Sequence, residues 1–147
     1  MRNLHVRGGC MPRVSGTGPV VLFDGYCKLC SGFAVWALER DRAEKLLFAP
    51  IQGETAKKLL TGLGCHSPPA KSVIFLHDGV LDLRSTAVLK ILRLLGPPWS
   101  RLYPLIAIPR PIRDLCYRLV ARVRYRIFGR RDSCRAPGPD QRGRMLP

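Results

Sequence analysis

Apolar and polar positions fall in blocks along the chain, and the period within each block predicts the element it builds. Val20-Val21-Leu22-Phe23 is a short continuous apolar run of strand formers closed by Asp24-Gly25, as a buried parallel strand running into a turn should read. From Lys28 the period lengthens. Leu29, Phe33, Trp36 and Ala37 fall at i, i+4, i+7 and i+8, which predicts a helix of about three turns before the polar run 39–45. Leu46-Leu47-Phe48-Ala49, stopped by Pro50, predicts a second strand, and 54–60 a second helix ending at Gly62 or Gly64. After a loop over 64–71 carrying Pro68-Pro69, the runs 72–76 and 80–83 flank His77-Asp78-Gly79 and predict a hairpin. Ser85 is placed to cap a third helix, with Val88, Ile91, Leu92 and Leu95 on one face and Gly96-Pro97-Pro98 as its stop.

The predicted order is βαβαββα: a parallel start, an antiparallel hairpin and a last helix. That is the order of a thioredoxin-like α/β core, complete within 19–96. Beyond it, Pro111 suits a first helical position, and Ile112, Leu115, Leu119, Val123 and Ile127 form an apolar stripe. Arg113, Arg118, Arg122, Arg124 and Arg126 fall mostly off that stripe, which predicts a long basic helix packed on the domain by its apolar side. Residues 97–134 are therefore expected to be an appended C-terminal basic helical segment. Residues 135–147, rich in Pro, Gly and Arg, are expected to be a disordered tail, and 1–18 a flexible extension.

Length and composition narrow the class. A chain of 147 residues fits one domain and can bury roughly 68–70% of its unfolded surface, so size alone demands no metal or disulfide staple. At 46% hydrophobic and 24% charged the balance is that of a globular protein. No apolar run approaches the roughly 18 residues needed to cross a bilayer, and 1–18 lacks the apolar core of a secretory signal. The expected compartment is the reducing cytoplasm, where close cysteines are more often catalytic or metal-binding than structural. The net charge of +15, concentrated after Arg101, implies attraction to an acidic partner.

The candidate chemistry lies at Cys27-Lys28-Leu29-Cys30, where a strand hands over to a helix. Residues i and i+3 of a first helical turn have Cβ atoms about 5–6 Å apart, near the range a disulfide accepts. The N–H groups and dipole at a helix N-terminus, helped by Lys28, favour a thiolate at Cys27, since such surroundings bring a cysteine pKa from about 8.5 to between ~3.5 and ~7.5. Cys27 is then the attacking sulfur. Cys30, one turn further in, is expected to be the more buried of the two and so to keep its proton until it resolves the mixed disulfide. Asp24 is either a general base acting on Cys30 through a water or a turn-forming Asp-Gly. A structural role explains the pair poorly, because closing so short a loop removes little unfolded-state entropy.

Phe23, Asp24, Gly25, Cys27 and Cys30, read as Phe-Asp-Gly-x-Cys-x-x-Cys, resemble the DCC family of thiol-disulfide oxidoreductases. The similarity runs over about residues 20–134, through Ser85 with Ala87, the stretch from Arg113-Asp114 to Tyr117, Arg124-Tyr125 and Cys134. It implies a thioredoxin-like fold and protein-disulfide reductase activity. On this reading the partners are a disulfide-containing protein or a small thiol and a reductant that recycles the pair, with no cofactor and no metal.

Two rivals remain at this point. A zinc site would draw further ligands from Cys65-His66, Cys116, Cys134 or Cys10, none of which forms a second CxxC. Cys116, near the apolar stripe, is expected to be a small buried hydrophobe, and Cys134 an exposed thiol or an extra resolving one. His5, His66 and His77 are expected at the surface. The basic helix offers the other rival, a non-enzymatic module binding nucleic acid or an anionic membrane surface. No base-reading motif accompanies its aromatics Tyr117, Tyr125 and Phe128.

Overall fold

A computed structural model of the chain describes residues 18–64, 72–130, 132 and 143–147. Four short strands form one mixed sheet in the order β2-β1-β3-β4, where β1 is Val20–Phe23, β2 Leu47–Pro50, β3 Ile74–His77 and β4 Val80–Leu83. β1 is buried at all four residues, which is why it reads as an unbroken apolar run. It pairs parallel with β2, from Val20 beside Leu47 to Phe23 beside Pro50, and antiparallel with β3. The β3-β4 hairpin turns on Asp78 and Gly79, both at positive φ (51° and 75°), as a two-residue hairpin turn requires.

Alternation along the strands sends side chains to two covers. Val21, Phe23 and Phe75 face a core built with α1 (Lys28–Arg40) and α3 (Arg84–Leu94). Val20, Leu22, Ile74 and Leu76 face α2 (Glu54–Gly62). A mixed sheet covered on both faces is the predicted thioredoxin-like α/β core. The face of α1 that meets the sheet is carried by Cys30, Ala34, Ala37 and Leu38, one position off the Leu29-Phe33-Trp36 stripe, whose larger side chains are half-buried at its rim. Trp36 there meets the edge of Trp99 with ring centroids 4.6 Å apart. Trp99 opens a 3-10 helix, Trp99–Ala107, that packs on α3 and has Pro104 inside it.

Three expectations are corrected. Ser85 does not cap α3. The chain enters that helix through Arg84 at φ 54°, Leu83 holds the cap position without a side-chain bond, and the Ser85 hydroxyl donates to Asp114 Oδ1 at 2.6 Å.

The second correction concerns α4 (Arg110–Ile127), which lies on the domain by the face opposite to its apolar stripe. Ile112, Leu115, Leu119, Val123 and Ile127 are 40–68% exposed, whereas Arg124 is 2% exposed. The inward face carries Arg113, Tyr117, Ala121 and Arg124, at i, i+4, i+8 and i+11. Polar groups on the body decide this orientation, because buried donors and acceptors left unpaired are costly. Arg113 reaches the Ser85 and Thr86 hydroxyls at 3.3 and 3.4 Å, and the Tyr117 hydroxyl accepts the Val73 N–H at 3.0 Å.

The third correction is at 143–147, expected as part of a disordered tail. These residues lie along β2, the edge of the sheet. The Phe48 N–H donates to the Arg144 carbonyl at 2.8 Å, and the Leu146 N–H to the Phe48 carbonyl at 2.7 Å. Met145 enters the α1 core, and Arg144 pairs with buried Asp41 at 2.8 Å. The open N–H and C=O groups of an edge strand supply the physical reason. Gly53 makes room for this end, since a Cβ there would fall 2.7 Å from the Pro147 carbonyl carbon. The remainder of the expected tail, 135–142, and the N-terminal extension up to residue 17 lie outside the described residues.

Candidate active site at the Cys27-Cys30 turn

β1 ends in a turn that is tied down from two sides. The Asp24 carbonyl accepts the Cys27 N–H at 3.2 Å, and Asp24 Oδ1 accepts the Tyr26 N–H at 3.1 Å, an Asx-type closure. Gln52, just beyond β2, grips the same turn: its Nε2 donates to Asp24 Oδ1 at 3.0 Å and its Oε1 accepts the Gly25 N–H at 3.1 Å. Cys27 then caps α1. Its Sγ accepts the Cys30 N–H at 3.4 Å, while the Ser31 hydroxyl donates to the Cys27 carbonyl at 2.8 Å. An amide N–H aimed at a sulfur from a helix start stabilises negative charge there. Both cysteines are free thiols and buried, at 0% and 4% exposure, so Cys30 is not the more enclosed of the two as expected: the backbone of Arg130 bridges Cys27.

Arg124 joins this turn from α4. Its Nη1 donates to Cys30 Sγ at 3.0 Å, and its Nη2 lies 3.4 Å from Asp24 Oδ2 and 3.0 Å from the Tyr125 hydroxyl. The Tyr125 hydroxyl in turn donates to Asp24 Oδ2. Asp24 therefore accepts on both oxygens, and it meets Cys30 through the guanidinium rather than directly. Burial pushes the Cys30 thiol up to about 12; Arg124 opposes the rise, and negative charge at Cys27 and Asp24 adds to it. Burial works against the charge on Arg124, yet Cys30 and Cys27 hold its pKa above the ordinary value. Tyr125 is raised by burial and by its bond to Asp24. Burial likewise raises Tyr117, against the bond it accepts from Val73.

The chain just beyond α4 returns to Cys27. Arg130 forms an antiparallel bridge with Cys27, and its guanidinium lies 5.7 Å from the Tyr26 ring centre. Beside Cys30 a cavity of about 180 Å³ opens, with Leu29, Phe33, Val73, Val88 and Val120 in its wall and Arg124 at its margin.

The three residues picked from sequence, Asp24, Cys27 and Cys30, thus stand together. Those missed are Arg124, Tyr125 and Gln52. The signal for the first two was the inward polar spacing Arg113, Tyr117, Arg124, which the apolar stripe overrode. Cys116 is exposed on the outer side of α4, not buried, because the helix is turned the other way. Lys28 is exposed and runs beside Gly129. His77 is exposed, 3.6 Å from Asp78. Cys10, Cys65, His66, Cys134 and His5 lie outside the described residues. Among the described residues no three His, Cys, Asp or Glu side chains gather in a way that could hold a metal ion.

A strand-ending Asp-Gly followed by two thiols in one helical turn agrees with what comparison with known proteins finds. The sequence profile of the DCC1-like thiol-disulfide oxidoreductases matches residues 21–130. The chain belongs to this family. It is 37% identical over 128 residues to the uncharacterized protein YuxK of Bacillus subtilis (strain 168), covering 87% of this chain and 93% of that one. It is 38% identical over 117 residues to a chloroplastic DCC family protein of Arabidopsis thaliana, covering 79% and 68%. No solved structure matches. The family span takes in the whole of α4 and runs to Arg130, so Arg124 and Tyr125 belong to the matched unit as Cys27 and Cys30 do. Family and close cysteine pair together give the chain a thiol redox role.

Proposed function

We propose that the protein is a dithiol reductase of disulfides, with Cys27 attacking, Cys30 resolving, and Asp24 holding Arg124 over the Cys30 sulfur. The observation that carries this reading is the Cys27 sulfur capping α1, where the Cys30 N–H meets it at 3.4 Å. The Cys27 thiolate attacks one sulfur of the substrate disulfide. A Cys27-substrate bond forms, the substrate S–S bond breaks, and the departing thiolate is the base that takes the Cys30 proton. Bond formation also cancels the negative charge on Cys27, one of the causes that raise the Cys30 thiol. Arg124, 3.0 Å away, is then the cation beside the emerging Cys30 thiolate. That thiolate attacks Cys27 Sγ, expels the second substrate thiolate and leaves a Cys27–Cys30 disulfide. The substrate gains two electrons and the pair loses two.

The substrate on this reading is a disulfide-bearing protein or a small thiol's disulfide, and a separate dithiol reductant restores the pair. The cytoplasm, where thiols are kept reduced, is the compartment in which a reductase of this kind works forward. Trapping tests the assignment. Incubated with a disulfide-bonded protein, Cys30→Ser should accumulate a covalent mixed disulfide at Cys27, and Cys27→Ser should accumulate far less. Trapping through position 30 instead would reverse the roles, and trapping by neither variant would remove the reaction.

A further inference from the structure

We propose that the outward face of α4 docks the protein on an anionic lipid surface. Eleven large apolar side chains are exposed among the described residues, and ten of them lie between Leu102 and Phe128 in the chain, so the exposure is concentrated in this segment. Its centre is the stripe Ile112, Leu115, Leu119, Val123 and Ile127, and it continues back to Leu105 and Ile108 at the end of the 3-10 helix. Alongside runs a row of arginines, Arg118, Arg122 and Arg126, spaced by four and all exposed. The acid of α4 is Asp114, which is turned inward and engaged by Ser85 and Arg84. A helix with aliphatic side chains on one flank and guanidiniums on the next lies in the plane of a bilayer interface: the first flank enters the acyl boundary and the second meets lipid phosphates.

Charge selects this occupant over the alternatives. A second copy of the chain would set arginine row against arginine row with no acid on either outward helix face to answer them. Nucleic acid would satisfy the arginines but would leave the stripe without a use, since none of its five residues carries a ring on which a base can stack. No helix among the described residues is long and apolar enough to cross a membrane, so the contact is one of lying on the surface. The proposal does not depend on the cysteine chemistry, because Arg124 and Tyr125 occupy the opposite face.

The test is co-sedimentation of the full reduced chain with vesicles of phosphatidylcholine alone and of phosphatidylcholine containing phosphatidylglycerol. The expected result is binding to the anionic vesicles, weakened by salt, and weakened roughly tenfold or more in Leu115→Glu/Leu119→Glu with unchanged circular dichroism. As a readout that does not rely on that variant folding, Leu119→Trp should add a blue-shifted emission on anionic vesicles relative to the wild type. No binding to anionic vesicles overturns the proposal. So does equal binding by the double variant, which would leave arginine attraction alone. An added emission in Leu119→Trp that shifts with RNA or with protein concentration, but not with vesicles, overturns it as well.

Discussion

Replacing Arg124 with Met keeps the length of the side chain and removes the cation that touches Cys30. The guanidinium donates to Cys30 Sγ at 3.0 Å from a position only 2% exposed, so solvent screening is weak. A hydrogen bond to a charged group contributes about 1.5–3 kcal/mol. Lost from the transition state of the resolving step, that slows it between roughly ten- and a hundredfold. On the proposed mechanism the attacking step forms its bond at Cys27, whose sulfur is met by the Cys30 N–H rather than by the guanidinium, and should change far less. Rapid mixing with a peptide disulfide separates the two, since one substrate thiol leaves at attack and the other at resolution. Arg124→Met should release the first thiol nearly as fast as the wild type and the second much more slowly, with the Cys27 mixed disulfide building up between. Arg124→Lys should fall between them, because one ammonium cannot bridge Cys30, Asp24 and Tyr125 as a planar fork does. Stability should drop by about 3 kcal/mol as Asp24 loses its ion pair. A variant whose two releases slow in equal proportion, or not at all, refutes this role for Arg124.

The remaining expectations concern pH, the C-terminal end and the outer face. Cys30 titrates higher in the fold, at about 12, than the ~8.5 of an unfolded cysteine, so its stabilising effect is complete below that lower value and is lost as pH climbs toward the upper one. Urea unfolding of the reduced protein between pH ~8.5 and ~10 should show a falling stability that Cys30→Ser flattens; an unchanged slope in the variant contradicts the assignment. Met145→Ala should cost about 2 kcal/mol and expose the β2 edge to hydrogen exchange, whereas a silent substitution would mean that 143–147 do not dock. Leu119→Ser, at a site 57% exposed, should shift stability by no more than about 0.5 kcal/mol, against about 3 kcal/mol for Leu22→Ala in the core. Comparable losses at the two sites would restore the apolar stripe to the interior.

What could be read from the sequence was local. β1 is an apolar run because it is covered on both faces; Asp24 announces its turn because its carboxylate closes it, and Asp78-Gly79 because both stand at positive φ. The pairing of Cys27 with Cys30 follows from helix geometry in the same way. The orientation of α4 does not. Sorting its residues by polarity turns Ile112, Leu119 and Ile127 inward, but Ser85, Thr86, Val73 N–H and Cys30 Sγ need polar partners, and Arg113, Tyr117 and Arg124 supply them. That demand comes from elements far apart in the chain and leaves no trace in local periodicity. Arg113-Asp114, Tyr117 and Arg124-Tyr125 are among the residues of the family resemblance, and in the structure they bind the body of the domain: Arg113 and Asp114 at the start of α3, Tyr117 at Val73, and Arg124 and Tyr125 at the cysteine turn. Gln52 was invisible for the same cause, its partners being at Asp24 and Gly25. The docking of 143–147 escaped a reading in which Pro, Gly and Arg signify a loose end, because an open sheet edge recruits backbone whatever the composition.

On the proposed reading Cys27 and Cys30 act as one two-electron couple. Equilibrating the protein across a series of glutathione ratios and alkylating the remaining thiols tests it most directly. Cys27 and Cys30 should lose reactivity together, with a slope of about 30 mV per tenfold change, while Cys116 follows neither. Independent titration of the two sulfurs, or a pair that stays reduced across the whole series, would contradict it.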